Sequence, residues 1–262
     1  MEAITVTEHD RTYWQYEYAA AARYLIPLLR AWGAARAGLR VLDVGCGDGG
    51  GLSAMHDVGF LCRGFDIEPR RIAIGHALRG DRAIELAVGD IFCAGAPFCN
   101  DRFDLVVLRD VFEHLEHKPA ALATLRGSLA PGGGILISFP PYYSPFGAHQ
   151  QLLRAKIGRV PYVHLVPGAI ERLLPRLRGE HPPFVAEIRK LNRMRMGISR
   201  FERLAREANL AITRKKFYLI SPGHIRFGLR PCSAGLLGRI PLLRELLVTG
   251  VVYLLKDAEP QT

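Results

Sequence analysis

The chain's 262 residues suffice for one generous domain, and 49% hydrophobic with 23% charged residues is the balance of a soluble globular protein with ample material for a core. No apolar run approaches the ~20 residues of a membrane span, and the closest, 240–255, is broken by Arg244, Glu245 and Gly250. Charge is divided unevenly: residues 1–141 carry 14 Lys and Arg against 17 Asp and Glu, whereas residues 142–262 carry 21 against 8. So basic a second half favours an acidic partner such as phosphate, an anionic lipid surface or nucleic acid.

In chain order, apolar positions at helical spacing (Tyr18, Ala22, Leu25, Leu29) predict a helix over 11–35. A buried strand follows at 40–44, a helix at 51–58, a second strand at 61–66 and a helix at 70–78. Strands at 84–88 and 103–108 come next, then a helix at 120–129 that stops at the breaker Ala130-Pro131-Gly132-Gly133-Gly134. A fifth strand is expected at 134–139. Strands alternating with helices at this spacing imply βαβ units and a parallel sheet covered on both faces. The pattern then changes, and 140–198 is rich in Pro, Arg and aromatics with no strand. A helix returns at 199–208, with Ser199 as its cap and Glu202 three residues on. A strand at 211–220, an excursion at 221–247 and a final strand at 248–256 complete the chain. This reads as one α/β domain with substrate-side insertions at about 140–198 and 221–247.

The N-terminal sequence MEAITVTEHD lacks the basic-then-apolar pattern of a secretory signal, and the expected location is cytoplasmic. Cysteines 46, 62, 93, 99 and 232 form no CxxC pair, so neither a disulfide frame nor a metal site is expected.

Gly45-Cys46-Gly47-Asp48-Gly49-Gly50 satisfies GxGxxG between a strand and a helix, a pattern in which glycines let the backbone approach a ligand closely. Alone it fits a dinucleotide. Asp43 shifts the balance, because a carboxylate close to a pyrophosphate in a partly desolvated cleft is costly, and a cationic cofactor suits the position better.

The run VLDVGCGDGG (41–50) resembles the first motif of the class I S-adenosylmethionine-dependent methyltransferases, with Gly45, Gly47 and Gly49 on its glycines and Asp43 on its acidic residue. Further resemblances follow in order: GFDIEP with Asp66, VGDI (88–91) with Asp90, FDLVVLRDVFEHLEH (103–117) and LAPGGGILIS (129–138). The resemblance implies a Rossmann-like sheet of seven strands, mostly parallel with an antiparallel last strand, and helices on both faces. It implies S-adenosyl-L-methionine as cofactor, held by Asp43, Gly45, Cys46, Gly47, Asp66, Ile67, Gly89, Asp90, Ile91 and Arg109. Asp66 would meet the ribose hydroxyls, Asp90 the adenine amino group, and the first residues after the fourth strand the methionine end. The N-terminal helix, with Tyr13 and Trp14, often folds over the cofactor in this family.

Methyl transfer is an in-line displacement with a good neutral leaving group, so proximity and orientation dominate. A base is needed only for a protonated nucleophile. His114, His149 and Tyr143 are the candidate catalytic residues, with His117 and Tyr142 beside them. The fold does not choose the acceptor. Basic and apolar residues in both insertions, for example Val160-Pro161-Tyr162-Val163 and Leu236-Leu237, favour a small-molecule or lipid-like acceptor methylated on oxygen or carbon. They also favour peripheral contact with an anionic membrane at its inner face. The alternatives are a tRNA, rRNA or protein methyltransferase, a NAD-binding Rossmann enzyme, and a non-catalytic S-adenosylmethionine-binding subunit.

Overall fold

The computed structural model describes residues 4–93, 95–166, 168 and 182–258; most of the remaining residues, 169–181, belong to the first expected insertion. A long N-terminal helix runs through α1 (Glu8–Ala20), a π-helical stretch (Ala21–Leu25) and α2 (Ile26–Ala31). Its start is fixed by a capping box: Thr7 Oγ1 accepts from the Asp10 amide, and the Thr7 amide donates to the Asp10 carboxylate. Asp10 also takes both Nη groups of Arg70, which docks the helix on α4 (Pro69–Leu78).

Strands β1 (Arg40–Val44), β2 (Leu61–Asp66), β3 (Glu85–Val88), β4 (Phe103–Arg109) and β5 (Leu129–Phe139) pair in parallel, with α3 (Gly50–His56) and α5 (Lys118–Gly127) between strands. After α6 (Pro182–Met194) and α7 (Ile198–Glu207) come β6 (Leu210–Ile220), a two-residue β7 (Cys232–Ser233), α8 (Pro241–Leu247) and β8 (Gly250–Asp257). The sheet order is β3-β2-β1-β4-β5-β8-β6-β7, and β8 runs antiparallel to both β5 and β6. The eighth strand beyond the seven expected is the short edge piece β7, inside the second excursion.

Side-chain alternation sorts the core into two layers. Leu42, Val44, Val106, Leu108, Ile135 and Ile137 face α5 and α7; Val41, Leu105, Val107 and Leu136 face α2, α3 and α4. Every central strand is therefore buried on both sides, as parallel strands flanked by helices require.

Two local expectations change. The run Ala130–Gly134 does not precede β5 but lies within it as an irregularity: Phe103 pairs with Leu129, yet Leu105 pairs with Gly134. Gly132 takes φ +75° there, letting the extra residues loop out without breaking the strand. The helix after the first insertion is capped by neither Ser199 nor Glu202. Its N-terminal amides, those of Ile198 and Ser199, donate to the carboxylate of Glu245 on α8. Glu202 instead accepts from Lys215, Arg244 and the Tyr253 hydroxyl. Glu245→Ala is expected to cost about 1–2 kcal/mol, the range of a lost helix cap, measured by denaturant unfolding.

Among the described residues no helix is long and apolar enough to cross a membrane.

Candidate active site

The carboxyl ends of β1 and β4 open into a cavity of about 400 Å³, a volume within the range of small-molecule sites. Its floor is the turn after β1. Gly45 has φ +75°, and a Cβ added there would stand 2.5 Å from Val111 Cγ2, so the position excludes any side chain. The Gly45 and Cys46 amides donate to the Phe65 carbonyl, which ties the turn to β2. Asp66, at the end of β2, locks the turn further: one oxygen accepts from the Gly47 amide at 2.9 Å and the other from the Glu68 amide at 2.9 Å. Gly45, Cys46, Gly47 and Asp66 all line the cavity.

Arg109 comes up from the end of β4 beneath this turn. Its Nη1 donates to Glu17 at 2.9 Å and its Nη2 lies 3.6 Å from Asp43. A Cβ at Gly51 would collide with this guanidinium, so the first turn of α3 is shaped around it. Asp43 is only 1% exposed and neither of its oxygens has a hydrogen-bond partner. It therefore sits under the cavity rather than at its mouth, acting on a ligand through Arg109 and through its field. Burial, partly offset by Arg109, pushes its carboxyl up to about 6. Around the cavity Glu17, Asp48, Asp66 and Asp110 stand against Arg71, Arg109 and Arg226, with Asp43 behind them. This surplus of carboxylates opposes a pyrophosphate and suits a cationic ligand.

The other expected cofactor residues lie at the edge of this arrangement. Ile67 is 68% exposed directly after Asp66, and Ile91 is buried in the core. Gly89 leaves room for the Pro97 ring, and the Asp90 carboxylate accepts from the Phe92 amide. None of Ile67, Gly89, Asp90 and Ile91 is among the cavity-lining residues.

The N-terminal helix closes the opposite wall with a stripe at helical spacing: Tyr13, Glu17, Ala20, Tyr24 and Leu28 all face the cavity. Trp14 turns away, stacking on Tyr18 at 5.6 Å. Tyr16 donates to the Gly223 carbonyl, joining the helix to the excursion after β6, whose residues Ser221, Pro222, His224 and Arg226 form the remaining rim. The sequence reading missed Glu17 and Tyr16 and, though it placed 221–247 on the substrate side, named no residue of the 221–226 rim; the helical stripe was the available signal for the first.

His149 and Asp110 also line the cavity. Asp110 adopts φ +55° and keeps solvent contact in the cleft, where partial desolvation followed by repulsion from Glu113 raises its carboxyl above the ordinary range. His114 stacks behind His149 at 5.4 Å, and its Nδ1 meets Glu187 at 2.6 Å. Tyr143 packs edge-on against Tyr142 and is not among the lining residues.

A family model for a methyltransferase domain matches residues 13–214, most of the chain. The chain belongs to this methyltransferase family. Among curated proteins it is similar to phosphoethanolamine N-methyltransferase 1 of Triticum aestivum, 36% identical over 106 residues, or 39% of this chain and 21% of the relative. It is also similar to a ubiquinone biosynthesis O-methyltransferase of Cereibacter sphaeroides, 31% identical over 101 residues, or 38% of this chain and 41% of the relative. The chain thus spans less than half the length of these relatives. The magnesium protoporphyrin IX methyltransferase of Synechocystis, solved with SAH bound, shares the fold at a TM-score of 0.52. The two are 13% identical over 96% of this chain and 88% of that one.

S-adenosylmethionine is accordingly the cofactor of this methyltransferase domain, and the residues present fit it. The glycine turn offers close approach, Asp66 offers carboxylate oxygens for hydroxyls, Arg109 a guanidinium for the amino-acid carboxylate, and the acidic surround complements the cationic centre. Asp43 carries a testable consequence. Its folded pKa lies above its ordinary 3.8, so its favourable contribution is complete below about pH 4 and is lost as pH rises through about 6. Asp43→Asn is expected to flatten this fall and raise apo stability at pH 7 by about 2–3 kcal/mol, read by thermal melts across pH 4–7. The same substitution weakens the grip on Arg109 and with it donor binding.

Proposed function

We propose that this methyltransferase transfers the methyl group of S-adenosylmethionine to a small-molecule or lipid-like acceptor, on oxygen or carbon, while resting on an anionic membrane surface. The observation that carries the reading is the continuity between the cavity rim and the segment beyond it. Ser221, Pro222, Gly223, His224 and Arg226 line the cavity, and the chain then runs into Phe227, Leu229, Leu236, Leu237, Ile240 and Leu242, all exposed; Leu236 reaches 73% and Leu242 69%. The exposed Arg226, Arg230 and Arg239 are interleaved with them, and Glu245, the one acid of the segment, is taken up by the α7 amides. Exposed apolar side chains among arginines at the mouth of a cavity match the interfacial region of an anionic bilayer. The ubiquinone biosynthesis O-methyltransferase among the relatives supports oxygen as the acceptor atom, whereas the phosphoethanolamine N-methyltransferase methylates nitrogen by its name and supports only the small-molecule class.

When bound, S-adenosylmethionine supplies a sulfonium methyl with a neutral leaving group. The chain's own part is placement: the turn and Asp66 fix one end of the donor, the Tyr13–Tyr24 stripe keeps water away, and His149 and Asp110 face the acceptor side.

Flotation with vesicles of phosphatidylcholine alone or mixed with phosphatidylglycerol tests the membrane part. Binding to the anionic vesicles only, lost in Leu236→Glu/Leu242→Glu with donor binding unchanged, is expected. Equal indifference to both vesicles would overturn it. Transfer of labelled methyl groups to a panel of hydroxylated aromatics, quinol precursors, lipids and tRNA tests the acceptor class, and tRNA as the sole acceptor would overturn it.

A further inference from the structure

We propose that Glu113, His114 and His149 form a binding site for a divalent transition-metal ion of the zinc type, set against the acceptor side of the cavity. Glu113 and His114 lie in the 3₁₀ turn after β4, and His149 precedes another such turn after β5. One ligand atom from each residue can be chosen so that all three lie within 4.8 Å of one another. Glu113 Oε1 is 3.4 Å from His114 Nε2 and 3.7 Å from His149 Nε2. A tetrahedral ion with bonds of about 2.1 Å separates its ligands by about 3.4 Å, so the spacing suits an ion. It is too wide for hydrogen bonds.

Two further observations point to a ligand. Glu113 is 3% exposed, yet neither of its carboxylate oxygens has a hydrogen-bond partner, and the buried Nε2 of His149 has none either. The Lys118 ammonium is no substitute, because its Nζ donates to the backbone carbonyls of Glu113 and Leu115. A buried carboxylate left unpaired is costly, and a cation between it and the two imidazoles removes that cost. Secondly, His114 is held through Nδ1 by Glu187 on α6, at 2.6 Å, which turns Nε2 toward Glu113. A carboxylate on one imidazole nitrogen and a metal on the other is the usual way a ligating histidine is oriented.

Two histidines and one carboxylate leave an open position on the ion. His149 also lines the cavity, so that position is available to an acceptor hydroxyl. There the ion's charge favours proton loss: the O–H proton leaves to solvent and an oxygen lone pair forms the new O–CH3 bond. The C–S electrons return to sulfur, giving S-adenosylhomocysteine. This role rests on the proposed acceptor chemistry; the binding of the ion does not. The cysteine pattern gave no hint of such a site because its ligands are a glutamate and two histidines from two separate loops.

Titration of metal-free protein with Co²⁺, followed by visible absorption, and with Zn²⁺, followed by calorimetry, is the test. One equivalent with a tetrahedral cobalt spectrum is expected. Affinity is expected to fall at least about 10-fold in each of Glu113→Gln, His149→Gln and Glu187→Gln. Donor titration and thermal melts on the same samples report whether the cavity and fold are intact. Absence of stoichiometric binding, or binding unchanged in His149→Gln, overturns the proposal while leaving the donor assignment standing.

Discussion

Arg109→Met is expected to lower stability by about 3–5 kcal/mol, because it removes the one guanidinium between the buried Asp43 and Glu17. The loss has a specific origin that a double-mutant cycle exposes. In an Asp43→Asn background the same substitution no longer strands a buried carboxylate, so its cost is expected to shrink by at least about 1 kcal/mol. A purely volumetric role for Arg109 would leave the two costs equal. Denaturant unfolding of the four proteins measures the cycle. Donor affinity follows a different rule, since Arg109 faces the cavity whatever its partner is, and the Met variant is expected to bind S-adenosylmethionine poorly in both backgrounds.

Asp66→Ala is expected to weaken donor binding by about 100-fold and also to lower stability, because two backbone amides lose their acceptor. Its carboxylate accepts from the Gly47 and Glu68 amides, and it lines the cavity, so its loss both loosens the turn and removes acceptors for hydroxyls. Charge-assisted hydrogen bonds of this kind contribute about 1.5–3 kcal/mol each, which corresponds to roughly 10–150-fold. Calorimetry with S-adenosylhomocysteine measures the effect without turnover. Affinity within a few-fold of the parent chain would mean that Asp66 serves the turn alone.

The parallel half of the fold was legible in the sequence because its central strands, β1, β4 and β5, are largely buried on both faces. Short apolar-rich runs between breakers mark these strands, and β1 and β2 fall on the expected residues. The glycine turn was legible because few residues tolerate three positive φ values in five positions, and Gly45, Gly47 and Gly49 supply them. What stayed hidden depends on contacts between distant segments. Glu245 caps α7 from 46 residues away, and no local pattern encodes that. The strand β7 has two residues, too few for any periodicity. Asp43 was singled out as a carboxylate close to the ligand; the structure puts it below the cavity, beside Arg109. His114 and His149 were named separately as candidate bases. Their stacking, and the orphaned Glu113 between them, appears only when the loops after β4 and β5 are brought together.

The most direct test of the account is calorimetric titration of the protein with S-adenosylmethionine and, separately, with NAD. Saturable one-to-one binding of S-adenosylmethionine, weakened in Asp66→Ala and absent for NAD, is the predicted result. Tight NAD binding with no response to S-adenosylmethionine would contradict it.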